Sequence, residues 1–241
     1  MTDAPLLRLE GVSKSFGPVD VLSDVSASIP SGSVVALIGP NGSGKTTLIR
    51  VLVGDLPATS GTVSYEGPDA DRPIGYLPQE PTFRPGFTAA ETLSFYSSLV
   101  DGADPAPLLE RVGLAAAADR RVEALSGGMR QLLGIAQATV GDPPLVVLDE
   151  PASGLDPNMS ANVFETAAEM TDAGTTVLLS SHDLALVEET ADSVVVLNRG
   201  TVAASGTIEE LYASFGADSL RGVLNAVVED TGQVAVVGGR R

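Results

Sequence analysis

The 241 residues contain two lysines and one histidine, and one lysine and the histidine fall in segments suited to handling phosphate. Lys45 closes the stretch Gly39-Pro40-Asn41-Gly42-Ser43-Gly44-Lys45-Thr46, which runs on into Thr47-Leu48-Ile49. A glycine-rich turn between strand and helix lets backbone N–H groups converge on phosphate oxygens, and the helix N-terminus adds its positive end. In that geometry Lys45 reaches the β- and γ-phosphates of a nucleotide, and the Thr46 hydroxyl binds Mg²⁺. An ordinary glycine turn is the plain alternative. The apolar strand before the loop and the helix-forming run after it favour phosphate.

Three further segments extend that chemistry. Leu145-Val-Val-Leu148-Asp149-Glu150 is an apolar strand ending in two carboxylates, 104 residues beyond Lys45. Asp149 suits the coordination shell of Mg²⁺ and Glu150 suits an attacking water. Acidic residues also end strands simply because loops are solvated. The upstream phosphate loop favours the chemical role. Leu125-Ser126-Gly127-Gly128-Met129-Arg130-Gln131 places a helix N-cap serine before two glycines, exposing helix-end N–H groups to an anion with no side chain in the way. His182, in Leu-Leu-Ser-Ser-His182-Asp, follows a β-branched apolar run, where a neutral imidazole either packs in the core or faces a γ-phosphate.

These residues need elements to hold them. The first third reads as strands and turns: Leu6 to Val12, the alternating face Val25, Ala27, Ile29, and Gly61 to Glu66. Between them Val34 to Ile38 forms a strand that enters the glycine loop and continues as a helix from about Lys45 to Val53. Thr88-Ala-Ala-Glu91 is a capping box that opens a helix with Leu93, Phe95, Tyr96 and Leu99, beginning a helical insert that runs to about Val140. The second half alternates strand and helix: Leu145 to Leu148, a helix from about Asn158 capped by Asp156-Pro157, Thr175 to Leu179, a short helix after His182, and Val194 to Leu197. A capping box at Thr207-Ile-Glu-Glu210 begins a last helix, and the segment after about Ala213 carries no clear signal. Strands alternating with helices define an α/β fold with a mostly parallel sheet.

Composition narrows the function classes. With 31 acidic and 14 basic residues the net charge is −17, which opposes bulk electrostatic binding to nucleic acid or to an anionic membrane surface. The acidic excess is spread along the chain and arginine outnumbers lysine 12 to 2, a pattern suited to solubility in concentrated salt. A GC-rich genome would trade lysine for arginine without raising Asp and Glu. The absence of cysteine removes disulfides and thiolate metal sites. Met-Thr-Asp-Ala-Pro lacks the basic and apolar regions of a signal peptide, which speaks against export. The apolar runs are far shorter than the roughly 18 to 20 residues that span a bilayer. If this protein acts at a membrane, another chain crosses it.

The ordered set resembles the nucleotide-binding subunits of ATP-binding cassette (ABC) transporters: the glycine loop Gly39 to Thr46, Gln79 in Gly75-Tyr-Leu-Pro-Gln79, the signature Leu125 to Gln131, Leu145 to Glu150, Ser153-Gly-Leu-Asp156, and His182. The resemblance covers about residues 6 to 210. It implies a P-loop NTPase core, an N-terminal antiparallel β subdomain, a helical signature subdomain over about 84–140, a cassette domain over 1–213, and a C-terminal extension over 214–241. It also implies ATP and Mg²⁺ as ligands and a head-to-tail pairing with a second copy or a homologous ATPase subunit. Ser126, Gly127 and Gly128 would then contact the γ-phosphate across the interface, with Asp156 in the same nucleotide-binding set. Glu150 polarises the water, His182 holds the γ-phosphate, and Gln79 touches Mg²⁺ or the water. Phe16 matches the adenine-stacking aromatic, more often Tyr, although a core Phe is a real alternative.

Gly154 stands where the family more often has Ala, and Ser181 replaces the threonine common before the histidine in importers. With Leu125 only 46 positions after Gln79, the chain is similar to exporter-type ATPases that pair with a separate integral membrane permease. Around Glu91 to Tyr96 and Arg130 to Gln137 it resembles the copper-enzyme (nitrous oxide reductase) maturation ATPases of that group. These likenesses imply a peripheral position at the cytoplasmic face of the cell membrane. A soluble assembly ATPase of the iron–sulfur type is the competing class. Chromosome-type heads need a long coiled coil between glycine loop and signature, and ribosome-associated members carry two cassettes; neither feature is present.

Self-repulsion at −17 should make stability and activity depend on molar salt, because the Debye length falls to about 3 Å at 1 M. We expect the melting temperature and ATPase rate to rise together between low and molar salt. Equal values at both would assign the charge to genome composition.

Overall fold

The computed structural model describes residues 5–100 and 104–233. Residues 1–4, on which the expectation about a signal peptide rests, lie outside it, as do residues 101–103 and 234–241. Along the chain run β1 (Pro5–Phe16), β2 (Val19–Pro30), β3 (Val34–Ile38), α1 (Lys45–Leu52), β4 (Ser60–Tyr65) and β5 (Ile74–Leu77). The helical insert follows with α2 (Ala89–Ser97), α3 (Ala106–Arg111), two short 3-10 turns and α4 (Gly127–Ala138). The remainder is β6 (Leu145–Leu148), α5 (Pro157–Asp172), β7 (Thr176–Ser180), α6 (Leu184–Thr190), β8 (Ser193–Asn198), β9 (Thr201–Gly206), α7 (Ile208–Phe215) and α8 (Leu220–Gln233).

Two sheets result. β2-β1-β4 is antiparallel, and the larger sheet has the order β5-β6-β7-β3-β8-β9, parallel except for the edge strand β9. Its inner strands β3, β6, β7 and β8 are buried on both faces, which is why their sequences are nearly continuous apolar runs. Val35, Leu37, Val147, Leu178 and Val195 pack against the small sheet and α1, where Leu7, Leu9, Val25, Ile29, Leu48 and Ile49 meet them. Alternate residues, among them Ala36, Ile38, Val146, Leu148 and Leu179, face the opposite core with Leu133, Ile135, Val163 and Phe164 from α4 and α5. The period-2 alternation therefore assigns each strand residue to one of two cores. This is the expected α/β architecture, with an antiparallel N-terminal sheet and a helical insert.

The caps also fall where the sequence placed them. Thr88 and Glu91 exchange hydrogen bonds at the start of α2, as do Thr207 and Glu210 at α7. The Asp156 carboxylate accepts from the N–H groups of Asn158 and Met159 at the start of α5, ahead of Pro157 at the first helical position.

Several elements differ from expectation. β1 extends to Phe16 instead of ending at Val12, because register shifts around Gly11 let the pairing continue. β5 and β9 had no strand signal: β5 is four residues long, and β9 is an edge strand of small and polar residues. The segment after Ala213 completes α7 and then forms α8, whose Leu220, Val223 and Val227 are buried in the main core. Their i, i+3, i+7 spacing is helical, but Gly222 and the valines weaken the propensity that would announce it.

α4 is seated closely on β5. A Cβ at Gly75 would lie 1.9 Å from the Ala138 carbonyl oxygen, and one at Gly134 2.5 Å from Leu77 Cδ1. The first contact is with backbone, which cannot rotate away. Gly75→Ala is expected to destabilise the protein by about 1–3 kcal/mol, the usual range for overpacking, read as a lower denaturant midpoint at unchanged m-value.

Candidate active site

The phosphate loop lies between β3 and α1, and a neighbouring turn shapes it. Gly39 has φ +155°, and a Cβ there would lie 2.1 Å from the Leu197 carbonyl oxygen, so only glycine fits. Gly44 precedes α1 with φ +105° and no side-chain cap, and no acidic residue occupies the first turn. The first N–H groups of α1 are therefore offered to an anion. Lys45 is buried, with Nζ donating to the carbonyls of Gly39 at 2.9 Å and Pro40 at 3.4 Å. Ser43 Oγ is buried without a hydrogen-bond partner.

β6 delivers the two carboxylates to the same place. Asp149 is fully buried, and its Oδ1 accepts a 2.7 Å hydrogen bond from Ser180 Oγ, at the end of β7. The same hydroxyl accepts from the Glu150 N–H at 2.8 Å, so one serine holds both residues. Ser180 was not among the candidates read from sequence; its only signal was a polar residue ending an apolar strand just before His182. Glu150 adopts φ +49°, an uncommon conformation for a side-chain-bearing residue. Asp149 Oδ2 and Glu150 Oε1 are buried and lack hydrogen-bond partners.

Burial dominates the electrostatics. It pushes the Lys45 pKa down, against the pull of Glu150 and Asp149. It pushes the Glu150 pKa up, opposed by Lys45 and assisted by Asp149. His182 Nε2 stands 2.9 Å from Glu150 Oε1, yet that oxygen has no properly directed hydrogen bond, so this is proximity of ring and carboxylate. Burial and then Lys45 lower the His182 pKa, so the imidazole is neutral at neutral pH and the pair is not an ion pair.

Asn41, Gly42, Ser43, Gly44, Lys45, Thr46, Thr47, Gln79, Glu150 and His182 line one cleft together with Val21 of β2, which the sequence reading had missed. Five separated segments thus converge on one cleft. Phe16 does not line it; the residue is 49% exposed with Lys14 Nζ 5.1 Å from its ring centroid, which excludes the core alternative. Asp156 is likewise outside and engaged in capping α5. Ser126 caps α4 by accepting from the Met129 N–H at 3.2 Å, and Ser126 and Gly127 are exposed. Gly127 borders a second groove with Gln79, Gln131 and Ser153, not the phosphate cleft.

This arrangement is suited to bind a nucleoside triphosphate with a carboxylate beside its terminal phosphate. Comparison with known proteins gives the same chemistry a family. The model of the ABC transporter family matches residues 22–153. This chain belongs to that family. Its cassette is similar to the Lantibiotic transport ATP-binding protein SrtF of Streptococcus pyogenes, at 34% identity over 219 residues, 86% of this chain and 96% of SrtF. It is similar to the Zinc import ATP-binding protein ZnuC of Marinobacter nauticus at 39% identity, covering 88% of this chain and 80% of that one. A solved ATP-binding subunit of an ABC transporter superposes with a TM-score of 0.83 at 31% identity, covering 92% of this chain and 99% of its own. The cassette is accordingly an ATP-hydrolysing subunit of an ABC transporter.

The raised Glu150 pKa has a consequence for stability. A carboxyl whose folded pKa lies above its unfolded value stabilises the fold fully below the unfolded value, here 4.5, and loses that contribution as pH rises through the folded pKa. At neutral pH the ionised carboxylate is therefore a cost. Glu150→Gln should melt higher than the parent at pH 7.5, with the difference shrinking toward pH 4.5. A scanning-fluorimetry series with a difference independent of pH would count against that electrostatic cause.

Proposed function

We propose that two copies of this cassette, or one copy and a homologous ATPase subunit, close head to tail around two ATP molecules and drive a separate membrane permease of the exporter type. The observation that carries this reading is the separation of Ser126, Gly127 and Gly128 from the cleft that gathers Lys45, Thr46, Glu150 and His182. Those three residues present a capped helix start to solvent. A second molecule's γ-phosphate is the anion suited to it, and neither copy alone would complete a site. Asp156 joins that set through the position of its segment beside the second groove, and Phe16 offers an exposed ring for adenine.

Within each site, Lys45 and the N–H groups of the loop neutralise and orient the β- and γ-phosphates. Asp149 fits Mg²⁺, since its Oδ2 is a buried carboxylate oxygen without a partner, and Thr46 and Gln79 stand at the same cleft to complete the shell. Mg²⁺ would supply charge neutralisation of the phosphate oxygens. No cluster of three or more acidic or histidine ligands occurs among the described residues, consistent with an ion held partly by phosphate. Glu150 orients the water and takes its proton as the new P–O bond forms and the bond to the β–γ bridging oxygen breaks, giving ADP and phosphate. Its elevated pKa suits a base that must accept a proton near neutrality. Neutral His182 holds the γ-phosphate through a ring N–H.

The compact 46-residue interval from Gln79 to Leu125 and Ser181 before His182 support export, as does the lantibiotic-transport relative. The zinc-import relative shows that overall identity does not set direction. The narrower copper-enzyme maturation reading rests on 91–96 and 130–137. No helix among the described residues is long and apolar enough to cross a membrane, in keeping with a cassette held at the cytoplasmic face by its permease. The domain division at about 213 is proposed on the reach of the motifs.

Glu150→Gln keeps the shape of the carboxyl but removes its charge, so ATP should accumulate and the closed pair persist. Size-exclusion chromatography with ATP and Mg²⁺ is expected to show a Glu150→Gln dimer that Ser126→Arg abolishes, because a bulky cation blocks the opposing phosphate. A monomer at saturating ATP, or a dimer surviving Ser126→Arg, would sink the shared site. Purification from membranes with no co-purifying integral membrane protein would favour the soluble assembly class.

A further inference from the structure

Helix α8 makes two polar ties whose far ends lie beside the active site. The first runs through Asn198, which is 5% exposed and whose Nδ2 donates to the Val227 carbonyl at 3.3 Å. Asn198 opens the β8–β9 turn, where Arg199 and Gly200 both have positive φ, as two-residue hairpin turns require. That turn braces the phosphate loop. The Gly200 N–H donates to the Ser43 carbonyl at 2.9 Å, and the Leu197 carbonyl fills the space a Cβ on Gly39 would need. The loop is thus bonded at Ser43 by the turn and crowded at Gly39 by the end of β8, and α8 bonds Asn198, the residue that joins the two.

The second tie runs through Glu188 of α6. Its carboxylate accepts from the N–H of Leu220, the first residue of α8. Burial first, and then Glu188, push the Tyr212 pKa up to about 12, which places the Glu188 carboxylate beside the C-terminal end of α7 as well. α6 starts at Leu184, two residues after His182, and Asp183 caps it by accepting from the Leu186 N–H. With Val187 fully buried, α6 anchors one end of the short link that carries His182, and β7 anchors the other.

We propose that α8 is a brace that sets His182 and the phosphate loop at a fixed spacing, with Asn198 and Glu188 as positioning residues that never touch the nucleotide. This rests on the reading that His182 and the loop share one γ-phosphate. The two ties act on different steps. Loosening the turn at Asn198 degrades the phosphate cradle and so ATP binding. Loosening α6 at Glu188 displaces His182 and so the transition state.

The test is steady-state ATPase kinetics on the full-length chain, well below each variant's melting temperature. Asn198→Asp keeps the shape, removes the donor and sets a carboxylate against the Val227 carbonyl. A lost buried hydrogen bond should raise the KM for ATP about 3- to 10-fold with kcat nearly unchanged. Glu188→Ala should lower kcat by a similar factor with KM nearly unchanged, and Glu188→Gln, which keeps an acceptor for Leu220, should recover most of it. If Asn198→Asp does not fold, Asn198→Ala removes the donor without adding charge and carries the same expectation. Both variants moving the same parameter, or lowering only the melting temperature, would overturn the brace. His182→Ala separates the two claims. Wild-type turnover in that variant overturns the reading of the site itself, whereas a loss there with Glu188→Ala at wild-type kcat overturns the brace alone.

Discussion

Burial of like and unlike charge at one point dominates this molecule. Lys45, Asp149 and Glu150 leave water together, and desolvation costs several kcal/mol per ion even when partners are present. Lys45 compensates part of the cost of the two carboxylates, and they compensate part of its own. Two carboxylate oxygens still lack hydrogen-bond partners, an arrangement that a purely structural core would not retain. In the proposed mechanism the chemistry of phosphate needs these groups in that unfavourable environment.

The large sheet imposes that arrangement. β3, β6 and β7 are neighbours in parallel, so their C-terminal ends lie at one edge and present the glycine loop, Asp149-Glu150 and Ser180 to His182 side by side. Ligands of open α/β sheets bind at such strand ends for this reason. Two buried apolar layers, one against the small sheet and α1 and one against α4 and α5, keep the strand ends from shifting. Ser180 then bonds Asp149 and the backbone of Glu150 at once, converting strand register into side-chain geometry.

The helical insert joins this core through close backbone contact. α4 carries Ser126 at its start and is seated on β5 near its end, and β5 leads within two residues to Gln79. A change at Gln79 can therefore reach the signature through few and stiff links. The C-terminal helices complete the support from another direction through Asn198 and Glu188. The second groove, where Gln79, Gly127 and Ser153 meet, joins the insert to the segment after β6.

Much of this was legible in the chain. Lys45, Asp149, Glu150, Ser126 and His182 were readable because each sits in a short motif whose local backbone the residues dictate themselves: glycines at left-handed positions, serine, threonine and aspartate at caps, apolar runs for doubly buried strands. Tertiary structure decided what depends on neighbours distant in sequence. Ser180 and Val21 became site residues only when strands aligned, Phe16 proved exposed only once the small sheet was placed, and β5, β9 and α8 formed although propensity hardly announced them. Local chemistry is written in adjacent residues, whereas burial and register arise from contacts that no window of sequence contains.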